Sequence, residues 1–132
     1  MKKVISIFLV FSLGLLFIYS CGKDDLEQSY NTYNVEYLLT NKMEEGKRFV
    51  ITYKHPSYAN STTEQYESIL DTFWIRFEAK SLDYLYLKGS TRNDYADYTV
   101  SIFVDSKLVM IDSTSCDWEC DSTHVEIAYP LP

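Results

Sequence analysis

The sequence predicts an all-β fold: an antiparallel β-sandwich with immunoglobulin-like topology, built from about seven strands. Three observations lead there. From about residue 32 onward apolar side chains recur with a period of two, as in half-buried strands, and not with the 3.6 of a helix. The alternating runs are rich in β-branched and aromatic residues. Turn-prone stretches separate them at short intervals, the spacing of an all-β sandwich.

The first element does not belong to that fold. Met1-Lys2-Lys3 is a short basic start, and Val4 to Tyr19 is apolar except for Ser6, Ser12 and Gly14. A basic start, an apolar middle and a small residue at the cut describe a secretory leader. The apolar run is shorter than the ~20 residues that cross a bilayer as a helix. Cys21 follows Ser20, and this placement resembles the lipobox of bacterial lipoproteins. The resemblance implies a diacylglyceryl group on the Cys21 thiol and cleavage just before it. Residues 1–20 are therefore read as the leader, 21–31 as a lipidated flexible tether, and 32–132 as the sandwich domain. Gly22-Lys23-Asp24-Asp25 resembles the surface-export signal of some Gram-negative lipoproteins, and reads equally as an acidic, solvated tether. The expected location is the cell envelope, lipid-anchored to the outer membrane on its periplasmic or its outer side.

Removal of twenty residues from 132 leaves a chain of one domain's length. Such a chain buries about two-thirds of its unfolded surface, enough for one core. It keeps ten Lys/Arg against nineteen Asp/Glu, a formal charge of −9. That balance argues against nucleic acid, whose phosphates need cationic partners, and leaves the covalent lipid as the membrane contact.

Within the domain, Tyr33, Val35, Tyr37 and Leu39 alternate with Asn34, Glu36, Leu38 and Thr40, and Phe49, Ile51 and Tyr53 alternate with Val50 and Thr52. Phe73, Ile75, Phe77 and Ala79 follow the same pattern, then Leu85 and Leu87, then Tyr98, Val100, Ile102 and Val104. Glu44-Glu45-Gly46-Lys47, His55-Pro56-Ser57, Gly89-Ser90-Thr91 and Asp105-Ser106 read as turns. Gln65 to Leu70 reads as a short strand or a helical turn.

The last third allows a register argument. A two-residue turn at Asp105-Ser106 opposes Val100 to Ile111 and Ile102 to Val109. A disulfide between Cys116 and Cys120 across a hairpin tipped by Asp117-Trp118-Glu119 opposes Ile111 to Val125 and Val109 to Ile127. Opposed strand residues lie within disulfide reach. Both turns place the same residues on one apolar face, which predicts a three-stranded meander from about Tyr98 to Tyr129. A slip of one residue would turn that face to water.

The strand segments carry a resemblance. Val35-Glu36-Tyr37 with Thr40, Val50-Ile51-Thr52-Tyr53, Phe73-Trp74, and Val100 to Asp105 with Lys107 resemble, in order, four segments of the MmpS-like group of small exported β-sandwich proteins. Where that group often has Gly after the first-strand Thr and Asp-Gly in the late turn, this chain has Asn41 and Ser106. The resemblance implies a non-enzymatic sandwich, and for the group's founding members a role as accessory proteins of lipid-exporting transporters.

Candidate chemistry is sparse. The only histidines are His55 and His124, and neither a Gly-x-Ser-x-Gly elbow nor a Gly-rich phosphate loop is present. No enzyme activity, cofactor or metal is expected. Asp112, Cys116, Cys120 and His124 are spaced by four, which on a helix would make a one-sided metal site. The Ser/Thr/Asp-rich segment is poor in helix formers, so a disulfide, a metal site and free thiols all remain readings of the cysteines. Asp112-Ser113-Thr114 and Asp121-Ser122-Thr123 resemble a short O-glycosylation motif, and Asn60-Ser61-Thr62 is a sequon.

Aromatic residues are in excess. Tyr84 and Tyr86 fall opposite Leu85 and Leu87, and Phe103, Leu108 and Ala128 fall on the outer side of the last sheet. Exposed apolar patches mark partner sites, and Tyr and Trp suit protein interfaces and sugar stacking alike. Tyr84, Tyr86, Phe103, Leu108 and Trp118 are therefore the candidate contacts of a binding module for an envelope protein or a glycan. One outcome tests the leader reading: labelled palmitate should mark the full chain, and Cys21→Ser should abolish the label. A label that survives this substitution places the lipid elsewhere.

Overall fold

A computed structural model describes residues 29–132 apart from 59, 60, 93, 94 and 119. The leader, Cys21 and most of the tether lie outside the described residues, as do Asn60 and Glu119. Eight strands are present among the described residues: β1 (Thr32–Asn41), β2 (Lys47–Lys54), β3 (Thr62–Ile69), β4 (Thr72–Lys80), β5 (Tyr84–Thr91), β6 (Ala96–Val104), β7 (Lys107–Cys116) and β8 (Thr123–Pro130). One 3-10 turn, Pro56–Tyr58, interrupts them. The strands form two four-stranded antiparallel sheets. The front sheet has the order β4-β1-β6-β7 and the back sheet the order β3-β2-β5-β8.

The alternation read from the sequence is the inside–outside pattern of these strands. Val35, Tyr37 and Leu39 of β1 and Val100 and Ile102 of β6 are buried from the front. Phe49 and Ile51 of β2, Leu85 and Leu87 of β5, and Val125 and Ile127 of β8 meet them from the back. Their other faces carry polar or half-exposed residues, the parity expected of sheets that bury one side.

Two tyrosines tie the sheets together. Tyr37, 1 % exposed on the front sheet, donates its hydroxyl proton to Lys54 O at 3.0 Å. The Tyr37 hydroxyl oxygen in turn accepts the Tyr86 N–H at 3.2 Å. The β2–β5 ladder runs from Val50↔Ser90 to Tyr53↔Leu87, so Lys54 and Tyr86 would form the next pair. The Tyr37 hydroxyl stands between them and satisfies one backbone group of each strand. Tyr98 of β6 crosses in the same way and donates to Gly89 O at 2.9 Å. Gly89, near the end of β5, is required because a Cβ there would come within 2.8 Å of Leu39 Cδ1 and 3.1 Å of Tyr98 Cε2.

The expected sandwich is present, with eight strands where about seven were expected. The immunoglobulin-like description holds at the level of two packed antiparallel sheets. The strand order differs from the A-B-E-D and C-F-G order of immunoglobulin constant domains. Gln65 to Leu70 resolves as part of the full strand β3, with Leu70 just beyond it. Gly89-Ser90-Thr91 is not a turn but the end of β5, its glycine being required by the packing just described.

The meander forms only in its first half. Asp105 and Ser106 make the expected two-residue turn, both with positive φ (48° and 65°), as a type I′ hairpin requires. Asn34 holds that turn: its backbone N–H donates to Asp105 Oδ1 at 3.0 Å, and its carbonyl accepts the Asp105 N–H at 2.8 Å. Phe103↔Leu108 pair as expected, but a β-bulge follows and Ile102 pairs with Met110. Val109 is the extra residue. Val109 and Met110 both pack against the core, and Ile111, expected inside opposite Val100, is 55 % exposed opposite Ser101. The second hairpin is absent: β8 pairs with β5 in the back sheet, not with β7. Val125 and Ile127 do face the core, but across the gap between sheets and not along a ladder with Ile111 and Val109. The six residues between β7 and β8 are enough to cross the ~10 Å between packed sheets.

The two poles of the sandwich differ. β1 begins and β8 ends at one pole, where Leu82 N–H donates to Leu131 O and Ser81 N–H to Asn31 O. The far pole carries the β1–β2, β3–β4, β5–β6 and β7–β8 connections. Asn41, buried there, donates through Nδ2 to the carbonyls of Glu45 and Ile69 at 3.0 Å each and of Leu70 at 3.2 Å. A glycine at this position, common in the MmpS-like group, could not join those loops.

Tyr37→Phe is expected to lower stability by about 1–3 kcal/mol, because it strands two backbone groups, measurable by urea unfolding at pH 7. Burial pushes the Tyr37 phenol well above its ordinary value, with a smaller rise from Asp83 opposed by the Tyr86 N–H. Burial, then the bond to Glu126 and its charge, push Tyr86 up to about 12 from 10.0. A folded pKa above the unfolded one stabilises fully below the unfolded value and is lost as pH rises through the folded one. Stability should therefore fall from about pH 10 upward, and less steeply in Tyr37→Phe.

Candidate functional site

The residues singled out from the sequence do not converge. Tyr84 and Tyr86 project from β5 on the outer face of the back sheet, whereas Phe103 and Leu108 are cross-strand neighbours on the outer face of the front sheet. A full sandwich thickness separates them. Ala128, expected beside Phe103 and Leu108, instead pairs with Tyr86 in the back sheet. Trp118 lies at the far pole, in the β7–β8 connection, and is 85 % exposed.

The pair on β5 is partly committed to structure. The Tyr86 hydroxyl donates to the Glu126 carboxylate at 2.9 Å. Tyr84 is half exposed, with Lys54 Nζ 5.9 Å from its ring centre. The front face is more open. Its ladders give the row Arg76–Glu36–Phe103–Leu108 and, beside it, the row Trp74–Leu38–Ser101–Ile111. Trp74, Leu108 and Ile111 are each at least half exposed (54, 50 and 55 %). Phe103 and Leu38 fill the space between them, half-buried. Arg76 borders this patch: its guanidinium lies 4.4 Å from the Trp74 ring centre and is ion-paired with Glu36. The result is a flat apolar surface with a charged margin, the composition of a protein-contact face.

Trp74, Leu38 and Ile111 were missed as contact residues for two reasons. Trp74 and Leu38 are outward members of alternating strands, and nothing in the sequence makes β1 and β4 neighbours. Ile111 was assigned to the core, and only the bulge turns it out. The signal available was outward parity itself: a Trp or Leu at a position that should be polar.

Cys116 and Cys120 are brought to disulfide distance, with Cα atoms 6.5 Å apart. Their role differs from the expected one. They close a loop at the end of β7 and do not clamp two paired strands. Both sulfurs lie within 3.4 Å of the Trp118 carbonyl oxygen, so the bridge shapes the loop that displays Trp118. Asp112 and His124 do not oppose each other: Asp112 pairs with Val100 in the front sheet and His124 with Ser90 in the back sheet. Among the described residues no group of three or more His, Cys, Asp or Glu side chains could hold a metal ion, and no helix is long and apolar enough to cross a membrane.

The outer face of the back sheet also holds a trough of about 980 Å³, lined in part by Arg48, Tyr66, Lys88, Arg92 and His124. None of these is among the contact residues expected from the sequence, and His124 enters there only as a possible metal ligand. Compared with known proteins, the chain matches no family model and no curated protein sequence.

Intact-mass analysis without reductant should give a chain lighter by two hydrogens than the reduced form. Cys116→Ser should then cost no more than about 2 kcal/mol, because the closed loop is short. Two free thiols in the unreduced protein would refute the bridge.

Proposed function

We propose that this chain is a lipid-anchored envelope protein whose sandwich is a non-enzymatic binding module, docking a protein partner on the outer face of the front sheet. The leader pattern before Cys21 supports the anchor, since a diacyl group holds a protein stably to a bilayer where a single chain does not. Residues 22–31 supply the tether, and β1 begins at Thr32. The observation that carries the docking reading is the gathering of Trp74, Leu108 and Ile111 on one sheet face. Large apolar residues scattered singly need no explanation, whereas a contiguous patch marks an interaction site. Phe103 and Leu38 make the patch contiguous, and Arg76 and Glu36 give it a polar edge. Trp and Arg are the residue types most enriched among binding hot spots. Such a module would suit an accessory subunit of an envelope transporter, the role implied by the MmpS-like resemblance.

The test uses the full lipidated chain with a photo-crosslinker at position 108 in living cells. A discrete crosslinked species is expected. Trp74→Ala and Ile111→Lys, both at exposed positions, should each reduce it about tenfold or more, as loss of a hot spot of ~1.4 kcal/mol or greater does. Membrane attachment and thermal stability should be unchanged. A crosslink indifferent to both substitutions removes the front face from consideration. A species of twice the chain mass would make the partner a second copy.

A further inference from the structure

The back-sheet trough has a geometry of its own, independent of the docking face. Its floor is the row Tyr66–Val50–Ser90–His124, running across all four strands. The next row, toward the chain-end pole, is Glu64–Thr52–Lys88–Glu126. The central strands contribute the hydroxyls of Thr52 and Ser90 together with Val50 and Lys88, while Tyr66 and His124 stand at the rims. Tyr66, on edge strand β3, is 75 % exposed. His124 stands on the opposite edge strand and is also exposed. From rim to rim the floor spans three strand spacings, about 14 Å.

The far-pole end of the trough is cationic. Arg48 lies on β2 one outward position beyond Val50, and the β2–β5 register continued by the same step puts Arg92 beside it. Thr91 Oγ1 donates to Arg48 O at 2.8 Å, which keeps the two strands together at this point. Like charges side by side across strands repel. Among the described residues neither guanidinium is ion-paired, although Arg76 on the front face is. In a domain whose residues 32–132 carry a formal charge of −7, two adjacent arginines without an acidic partner form a local exception. Of the carboxylates in the trough, Glu67 is half-buried and engaged by Gln65 Nε2. Glu64 sits at the other end, one row toward the chain-end pole.

We infer that this trough is a binding site for an acidic oligosaccharide, with a sugar ring stacked on Tyr66 and its carboxylate held by Arg48 and Arg92. Each part of the ligand has a counterpart. A tyrosine ring offers a flat apolar face to the C–H face of a pyranose and a polar edge to its hydroxyls. Paired guanidinium groups bind a carboxylate through a planar fork of N–H donors. Ser90, Thr52, His124 and Glu64 supply donors and acceptors for ring hydroxyls along the floor. The volume is in the range of small-ligand sites, and the floor has room for roughly two to three sugar rings across its width. A peptide or lipid tail is a poorer match, because Val50 is the only apolar side chain in the middle of the floor. The site does not rest on the docking role of the front sheet, and either can fail without the other.

The experiment is calorimetric titration of the full chain, in detergent, with hexagalacturonate. Maltohexaose serves as the uncharged control and inorganic phosphate as the bare anion. Hexagalacturonate should bind with a Kd of about 1 mM or tighter, weakening as salt is raised, and maltohexaose at least about tenfold more weakly. Arg48→Gln and Arg92→Gln should each weaken binding by about tenfold, and Tyr66→Ala by about fivefold or more. Trp74→Ala, on the other face, should bind as the parent does. Circular dichroism checks that every variant is folded. No heat with hexagalacturonate at several times that concentration overturns the proposal, as does a double arginine variant that binds like the parent. Phosphate binding as tightly as hexagalacturonate, with Tyr66→Ala without effect, reduces the trough to a plain anion site and also overturns it.

Discussion

The Tyr37 hydroxyl is the point on which the two sheets are joined. It lies where the β2–β5 ladder would have placed its next pair, and it takes one backbone group from each strand. The ring that carries the hydroxyl is buried in the core against Tyr53 and Phe77, so both bonds are partly shielded from water. Their loss is costly, because a shielded N–H or C=O left without a partner costs more than an ordinary hydrogen bond contributes. Tyr98 and Gly89 repeat the arrangement farther along β5. Together the two phenols hold the front sheet at a set height and offset over the back sheet, and hence fix what each outer face displays.

The outer faces have diverged in chemistry. The front presents Trp74, Leu108 and Ile111 around half-buried Phe103 and Leu38. The back presents hydroxyls and charge, with aromatic groups at its margin. Tyr86, which pointed to an aromatic contact on the back, is instead tied to Glu126 within the sheet. At the far pole the Cys116–Cys120 loop holds Trp118 away from the chain ends. An anchor at Cys21 would leave both faces and that pole turned toward whatever lies beyond the membrane surface.

Alternation made the inward residues legible. Val35, Tyr37, Leu39, Phe49, Ile51, Leu85, Leu87, Val100, Ile102, Val125 and Ile127 are all buried, as their spacing implied. Parity says which side of a strand meets the core, but not which sheet the strand joins. Val125 and Ile111 could be aligned on paper as ladder partners, although one belongs to each sheet. The Asp105-Ser106 turn was legible because a turn-prone pair interrupts two apolar runs, and both residues do take positive φ. The bulge at Val109 was not, since no residue type announces it; it lets both Val109 and Met110 pack against the core. Contact surfaces suffered most. They are assembled from outward positions on strands far apart in the chain, so Trp74 and Ile111, or Tyr66 and His124, come to share a row of one sheet face only once strand order is known.

That strand order also bears on when the fold can form. Only β2–β3 and β6–β7 are hairpins; every other ladder joins strands separated by at least one intervening element. The inner strand β5 pairs with β8, so the back sheet lacks a member until the last residues have been delivered. Proteins dominated by such distant pairings fold in milliseconds to seconds, not microseconds. During synthesis from the N-terminus β1 therefore waits for β4 and β6, and β5 keeps one edge unpaired until β8 is made.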